Sequence, residues 1–180
     1  MARLVALLRA VNVGGRGTLA MADLRDLFAA LAFPGARSLL QSGNVVFDGD
    51  KRTPAAVEGL LEKATAERLG VATHYFVRTA KQWSDIIAAN PFRREAKEIP
   101  GYLHMLCLKK APTAADVKSL QAAVRGPEVV RAVGLQAYIV YPDGAGRSRL
   151  TPTLIESKLG TRGTARNWNT VLKIAALLAT

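Results

Sequence analysis

Cysteine occurs once in these 180 residues and histidine twice. No uninterrupted apolar segment reaches the roughly 18 residues that a membrane span needs. Each shortage removes a class of protein. With Cys107 alone no intrachain disulfide can form, and a cytoplasmic setting is expected. That cysteine sits inside "YLHMLCLK", which reads as a strand, so it serves as small core filling. His74 and His104 also fall in predicted strands, without cysteine or paired carboxylates at ligand spacing, so neither a zinc site nor a cofactor is expected. Ser42 lacks a G-x-S-x-G elbow, and neither histidine completes a triad with it. The opening "MARLVALLRAVNVGG" has the charge and apolar run of a signal peptide, but Arg9 interrupts it and no small-residue cleavage site follows. It reads as a first strand. Acidic groups are scarce: 14 against 25 lysines and arginines, a formal charge of +11.

What is abundant is apolar material, 49% of the chain, in periodic runs that predict a folded α+β protein. Strands are predicted over 2–11, 36–41, 44–48 and 73–78, with Ser42-Gly43 as a hairpin turn between the second and third. Helices are predicted over 21–33, from the Thr53-Pro54 cap to Gly70, and from Thr79 to Asn90-Pro91. "NPFRREAKEIPG" reads as a polar linker. The same order then recurs. Strands fall at 102–109, 128–133 and 135–141. Thr113-x-x-Asp116 opens one helix as a capping box, and Thr151-Pro152 opens another with Leu150 and Ile155 as its staple. A last helix runs from Asn167 and buries Trp168 as an anchor. A final strand of weak β character would have to lie within 161–165. The pattern is two β-α-β-β-α(-β) units in tandem, residues 1–90 and 101–180, each with an added helix. This is the ferredoxin-like arrangement.

The positive charge is concentrated late. Residues 1–90 hold 11 basic and 8 acidic groups, and residues 91–180 hold 14 and 6. Between Arg147 and Lys173 Glu156 is the only acid among six basic residues, and it reads as an ion-pair partner rather than a general base. Four polar stretches lie at the ends of predicted elements: "RAVNVGGRG", "QSGN", "YPDGAGRSRLT" and "TRGTARNWNT". Glycines there allow close backbone approach to a phosphate, and arginine forks match its oxygens. The first stretch has neither the P-loop nor the dinucleotide spacing.

At these stretches the chain resembles a bacterial family catalogued as domain-of-unknown-function family 1697, through "LLRAVNVGG", "QSGNVVF", "ANPF", "YPDGAGRSRLT" and "RNWNTVLKIA". The family usually reads R-G-I-N-V-G-G where this chain has Ala10 and Val11, and lysine where it has Arg149. No asparagine, glycine or positive charge is lost by these changes. The resemblance implies two ferredoxin-like units and supplies no reaction.

The residues therefore predict a protein that binds a phosphorylated or other anionic small molecule in a groove between its two units. Asn12, Gly14, Gly15, Ser42, Asn44, Arg147, Ser148, Arg149, Arg166, Asn167 and Asn169 would line it. The alternatives are an RNA-binding module, with Tyr75-Phe76 and Tyr102 as its stacking candidates, and a protein-interaction scaffold. Aromatics at 6% of the chain, without a K/R-G-F-like strand, weigh against RNA.

Overall fold

A computed structural model of the chain describes residues 2–9, 19–40 and 43–180. Among them are two four-stranded antiparallel sheets and seven helices, an α+β fold. In chain order, β1 (Arg3–Leu8), α1 (Met21–Ala30), β2 (Arg37–Leu39), β3 (Asn44–Asp48), α2 (Pro54–Leu69) and β4 (Tyr75–Thr79) build the first sheet and its helices. α3 (Ala80–Ala88) and α4 (Arg93–Glu98) follow. β5 (Leu103–Leu108), α5 (Ala114–Ala123), β6 (Val129–Val133), β7 (Gln136–Val140), α6 (Pro152–Leu159) and β8 (Gly163–Asn167) build the second, and α7 (Trp168–Ala179) closes the chain. Strand order is β2-β3-β1-β4 in one sheet and β6-β7-β5-β8 in the other, the same order twice.

Two compact units emerge, Met1–Asp85 with Lys173–Thr180, and Ile86–Leu172. α3 and α7 each contribute residues to both. In the first unit, Leu4, Ala6 and Leu8 alternate toward one face of the sheet. There they meet Val45, Phe47, Tyr75 and Val77 and the apolar stripes of α1 (Leu24, Leu27, Phe28) and α2 (Val57, Leu61, Ala64). The Phe47 ring stands edge-on to Phe28 and Phe33, with centroids 4.9 and 5.0 Å away. In the second, Leu106, Leu108, Ala137 and Ile139 meet Leu120 of α5 and Ile155 and Leu159 of α6.

The helix starts follow local chemistry. Thr53 Oγ1 accepts from the Ala56 N–H, Thr151 Oγ1 from the Leu154 N–H, and the Thr113/Asp116 capping box is complete. α2 and α6 end at Gly70 and Gly160, at φ of 66° and 65°, where an L side chain would be strained. Leu150 and Ile155 both enter the second core, as a staple should.

Two expectations need correction. The stretch read as a linker contains α4, a short helix with no buried residue, so no apolar stripe marked it. The last strand lies at 163–167, two residues later than placed, because its register is set by β5: Met105 opposes Arg166 and Cys107 opposes Thr164. The strand therefore takes in Arg166 and Asn167.

Edge strands are blunted by side chains from the helix before them. Glu62 and Glu58 of α2 accept from the Tyr75 and Val77 N–H groups of β4 at 3.0 and 2.8 Å. Gln121 of α5 accepts from the Val130 N–H of β6 at 2.9 Å, and Glu156 of α6 from the Gly163 N–H of β8 at 3.2 Å. The repeat extends to a buried arginine. Arg78 opposes the third residue of β1, Val5, just as Arg166 opposes the third residue of β5, Met105. Both arginines are buried, and each donates from Nη1 to the carbonyl of the residue before it, Val77 or Ala165, at 2.8 Å.

Candidate functional site

The loop between β7 and α6 is tied to itself. The Gly144 N–H donates to the Tyr141 carbonyl at 2.9 Å, and Arg147 and Ser148 donate back to Gly144 and Ala145. Gly144 sits at φ 86°, so this turn calls for glycine. Beyond it, the Leu150 N–H donates to Ser148 Oγ at 3.0 Å and the buried Leu150 side chain pins the far end. Arg147 and Arg149, on either side of Ser148, are left exposed.

Ser148 Oγ donates to Glu128 Oε1 at 2.5 Å. The Glu128 carboxylate is buried although it is acidic, and it adds to the burial that pushes the Tyr141 phenol up to about 12. Glu128 follows "RGP", which brings Arg125 to the same place. The result is a depression of about 190 Å³ lined by Arg125, Glu128, Asp143, Arg147, Ser148 and Arg149 with the backbone of 126–127. Three arginines line it, and among the described residues none of the three forms an ion pair.

The helix that follows adds little to this charge. Pro152 has no N–H, the Leu154 N–H is taken by Thr151 Oγ1, and the Ile155 N–H by the Thr151 carbonyl. The arginines, not the α6 dipole, make the place attractive to an anion.

Of the residues expected to line a site, Arg147, Ser148 and Arg149 come together here, with Ser148 already engaged. Arg166 does not join them. Its side chain is buried along β8, donating to Thr164 Oγ1 at 2.9 Å as well as to Ala165, and burial pushes its guanidinium down to about 10, still a cation at neutral pH. Asn167 Oδ1 accepts from the Thr170 N–H at 3.0 Å and so caps α7, while Asn169 is exposed on the first turn of that helix. Asn44, in the first unit, is fully buried and its Nδ2 holds the Leu39 carbonyl at 2.9 Å across the β2–β3 hairpin. Asn12, Gly14, Gly15 and Ser42 lie outside the described residues. Arg125 was not anticipated; nothing in the sequence around Gly126-Pro127 links it to a loop some twenty residues later.

The stacking candidates separate clearly. Tyr75 and Phe76 are fully buried, and the Tyr75 hydroxyl shares a 2.7 Å hydrogen bond with Thr65. Tyr102 is 45% exposed. Trp168 is buried as the expected anchor, 6.5 Å from the Tyr138 ring. Among the described residues no cluster of histidine, cysteine and carboxylates could hold a metal. His104, pressed edge-on against Tyr141, has its pKa lowered by burial. Among the described residues no helix is long and apolar enough to cross a membrane.

A family model described as "Protein of unknown function (DUF1697)" matches residues 1–138. Among solved structures, a conserved bacterial protein from Streptococcus pneumoniae superposes with a TM-score of 0.77 at 20% sequence identity, over 98% of each chain, a likeness of fold. No curated protein matches.

Proposed function

This chain belongs to the DUF1697 family of proteins of unknown function, and from that premise we propose that it binds a phosphorylated or similarly anionic small molecule on the 142–149 loop of its second unit. One observation carries the reading: Arg125, Arg147 and Arg149 converge on one depression without ion-pair partners among the described residues. A guanidinium offers a planar fork of donors that fits two phosphate oxygens at once. The two carboxylates lining the depression, Glu128 and Asp143, oppose an anion, but three cations outnumber them, and Glu128 is already held by Ser148. We read each unit as ferredoxin-like on its β-α-β-β-α-β order. A cytoplasmic setting belongs to the same reading, supported by the single free and buried Cys107.

A thermal-shift series with inorganic pyrophosphate, sugar phosphates and nucleotides tests this. A ligand bound only by the folded state at 100 times its Kd adds about 2.7 kcal/mol of stability. At least one compound is expected to raise the melting temperature. Arg147→Ala and Arg149→Ala should abolish that rise while leaving the unliganded melting temperature unchanged, since both side chains are exposed. Variants that respond as the parent does would place the ligand elsewhere.

A further inference from the structure

We propose that the ligand of this loop is a nucleotide, its base stacked on Tyr102 and its phosphates held by Arg147 with Arg125 and Arg149; the proposal rests on the anion-binding reading above. Tyr102 is the only exposed aromatic side chain among the described residues. The other three tyrosines are at most 5% exposed. An exposed ring is useful for stacking only if it is held still, and this one has a fixed mount. It ends a short 3₁₀ turn (Pro100–Tyr102), its N–H donates to the Ile99 carbonyl at 2.9 Å, and its carbonyl accepts from the Tyr141 N–H at 2.8 Å.

The ring also leans on the anion loop. A Cβ added to Gly144 would lie 3.5 Å from Tyr102 Cε1, so the loop's left-handed glycine is packed against the ring edge. Around that contact is a second depression of about 710 Å³, lined by Tyr102, Pro142, Asp143, Gly144, Gly146 and Arg147. Its size is that of a small-molecule site, several hundred Å³. It shares Asp143 and Arg147 with the smaller arginine-lined depression. A ring platform and an anion grip thus meet at one arginine. A sugar phosphate or a bare phosphate would leave the tyrosine unused, whereas a nucleotide uses both halves. The shared rim also gives Asp143 a purpose. A carboxylate would repel a phosphate beside it, but it accepts hydrogen bonds from ribose hydroxyls, which a nucleotide places between its base and its phosphates.

Single-stranded RNA is the competing occupant, since a tyrosine stacks any base. Sheet readers of RNA stack two or three bases on neighbouring aromatics. Tyr102 has no exposed aromatic neighbour, because Tyr138 and Tyr141 on the adjoining strand and its end are buried. One base and its phosphates match what is there.

Isothermal titration of the intact protein with adenosine diphosphate, guanosine diphosphate, ribose 5-phosphate and inorganic pyrophosphate tests the assignment. At least one nucleoside diphosphate is expected to bind ten- to a hundredfold more tightly than pyrophosphate, the range of one aromatic–base stack. Tyr102→Ala should erase that advantage and leave pyrophosphate affinity as it was, Tyr102→Phe should keep it, and Arg147→Ala should weaken every probe. If pyrophosphate binds as tightly as the nucleotides and Tyr102→Ala changes nothing, the base is not recognised and only the anion site stands. If no probe binds, both readings fall. Tight binding of a single-stranded RNA with a log–log salt slope steeper than about −3 would replace the mononucleotide with a polymer.

Discussion

Truncating Arg166 to alanine is expected to destabilise the protein by about 2–4 kcal/mol, the largest effect of any arginine named as a ligand contact. A charged donor bonded to neutral acceptors is worth roughly 1.5–3 kcal/mol, and here Thr164 Oγ1 and the Ala165 carbonyl both lose the Arg166 donor. The emptied volume lies on the sheet face shared with Met105 and Tyr138, both fully buried, so an unfilled cavity adds to the loss. For a chain of this length the melting temperature should fall by roughly 10 °C. Arg166→Met, which refills most of the space without a charge to bury, should recover a large part of the loss. Arg147→Ala is the contrast, because its exposed side chain should cost stability almost nothing. Equal and negligible losses at the two positions would mean that Arg166 is not held in the strand as described.

The second large effect is alkaline. Burial raises the phenols of Tyr75, Tyr138 and Tyr141 from 10.0 to about 12 each. A raised folded pKa means that the native state keeps three protons which the unfolded chain has released. Their contribution is complete below pH 10 and disappears as the pH climbs through 12. Two pH units correspond to at most about 2.7 kcal/mol for a fully buried group, and solvent screening reduces it for a partly screened one, so the three together take a sizeable share of the roughly 5–15 kcal/mol stability of a typical domain. Arg166 acts in the opposite sense. Its folded pKa is depressed, so raising the pH above 10 relieves the cost of burying its charge. One group of that sign does not offset three. Stability measured by denaturant titration is therefore expected to be flat from neutrality to about pH 10 and to collapse before pH 12. The rise in tyrosinate absorbance from the three buried phenols should coincide with the loss of near-ultraviolet circular dichroism. Four phenols ionising near pH 10 in an intact fold would contradict the burial described for three of them.

Arg166 also shows where the sequence was readable and where it was not. Caps and stops were legible because they are local: Thr53, Thr113 with Asp116, Thr151, Gly70 and Gly160 do their work within four residues of themselves. The strand pattern was legible wherever branched and aromatic residues alternate, as in 44–48 and 136–140. β8 was not, since "GTARN" becomes a strand through pairing with β5, more than fifty residues earlier in the chain. Read as a loop, its arginine looks like a ligand contact; paired with Met105, it is interior. The same non-locality hid the partner of Ser148, which is Glu128, and the convergence of Arg125 with Arg147 and Arg149. Glu156 needed the fold as well, since its carboxylate accepts from the backbone of an edge strand that the sequence did not show. The basic loop "YPDGAGRSRLT" was visible in the sequence because its charges and glycines are contiguous.

Whether that loop receives an anion is decided most directly by following backbone amide shifts while inorganic pyrophosphate is added at physiological salt. Saturable shifts should be largest at Gly126, Gly144, Gly146 and Ser148, the amides around the three arginines, and Arg147→Ala should suppress them. Shifts that never saturate, or that saturate only at residues away from 125–128 and 142–149, would contradict the site.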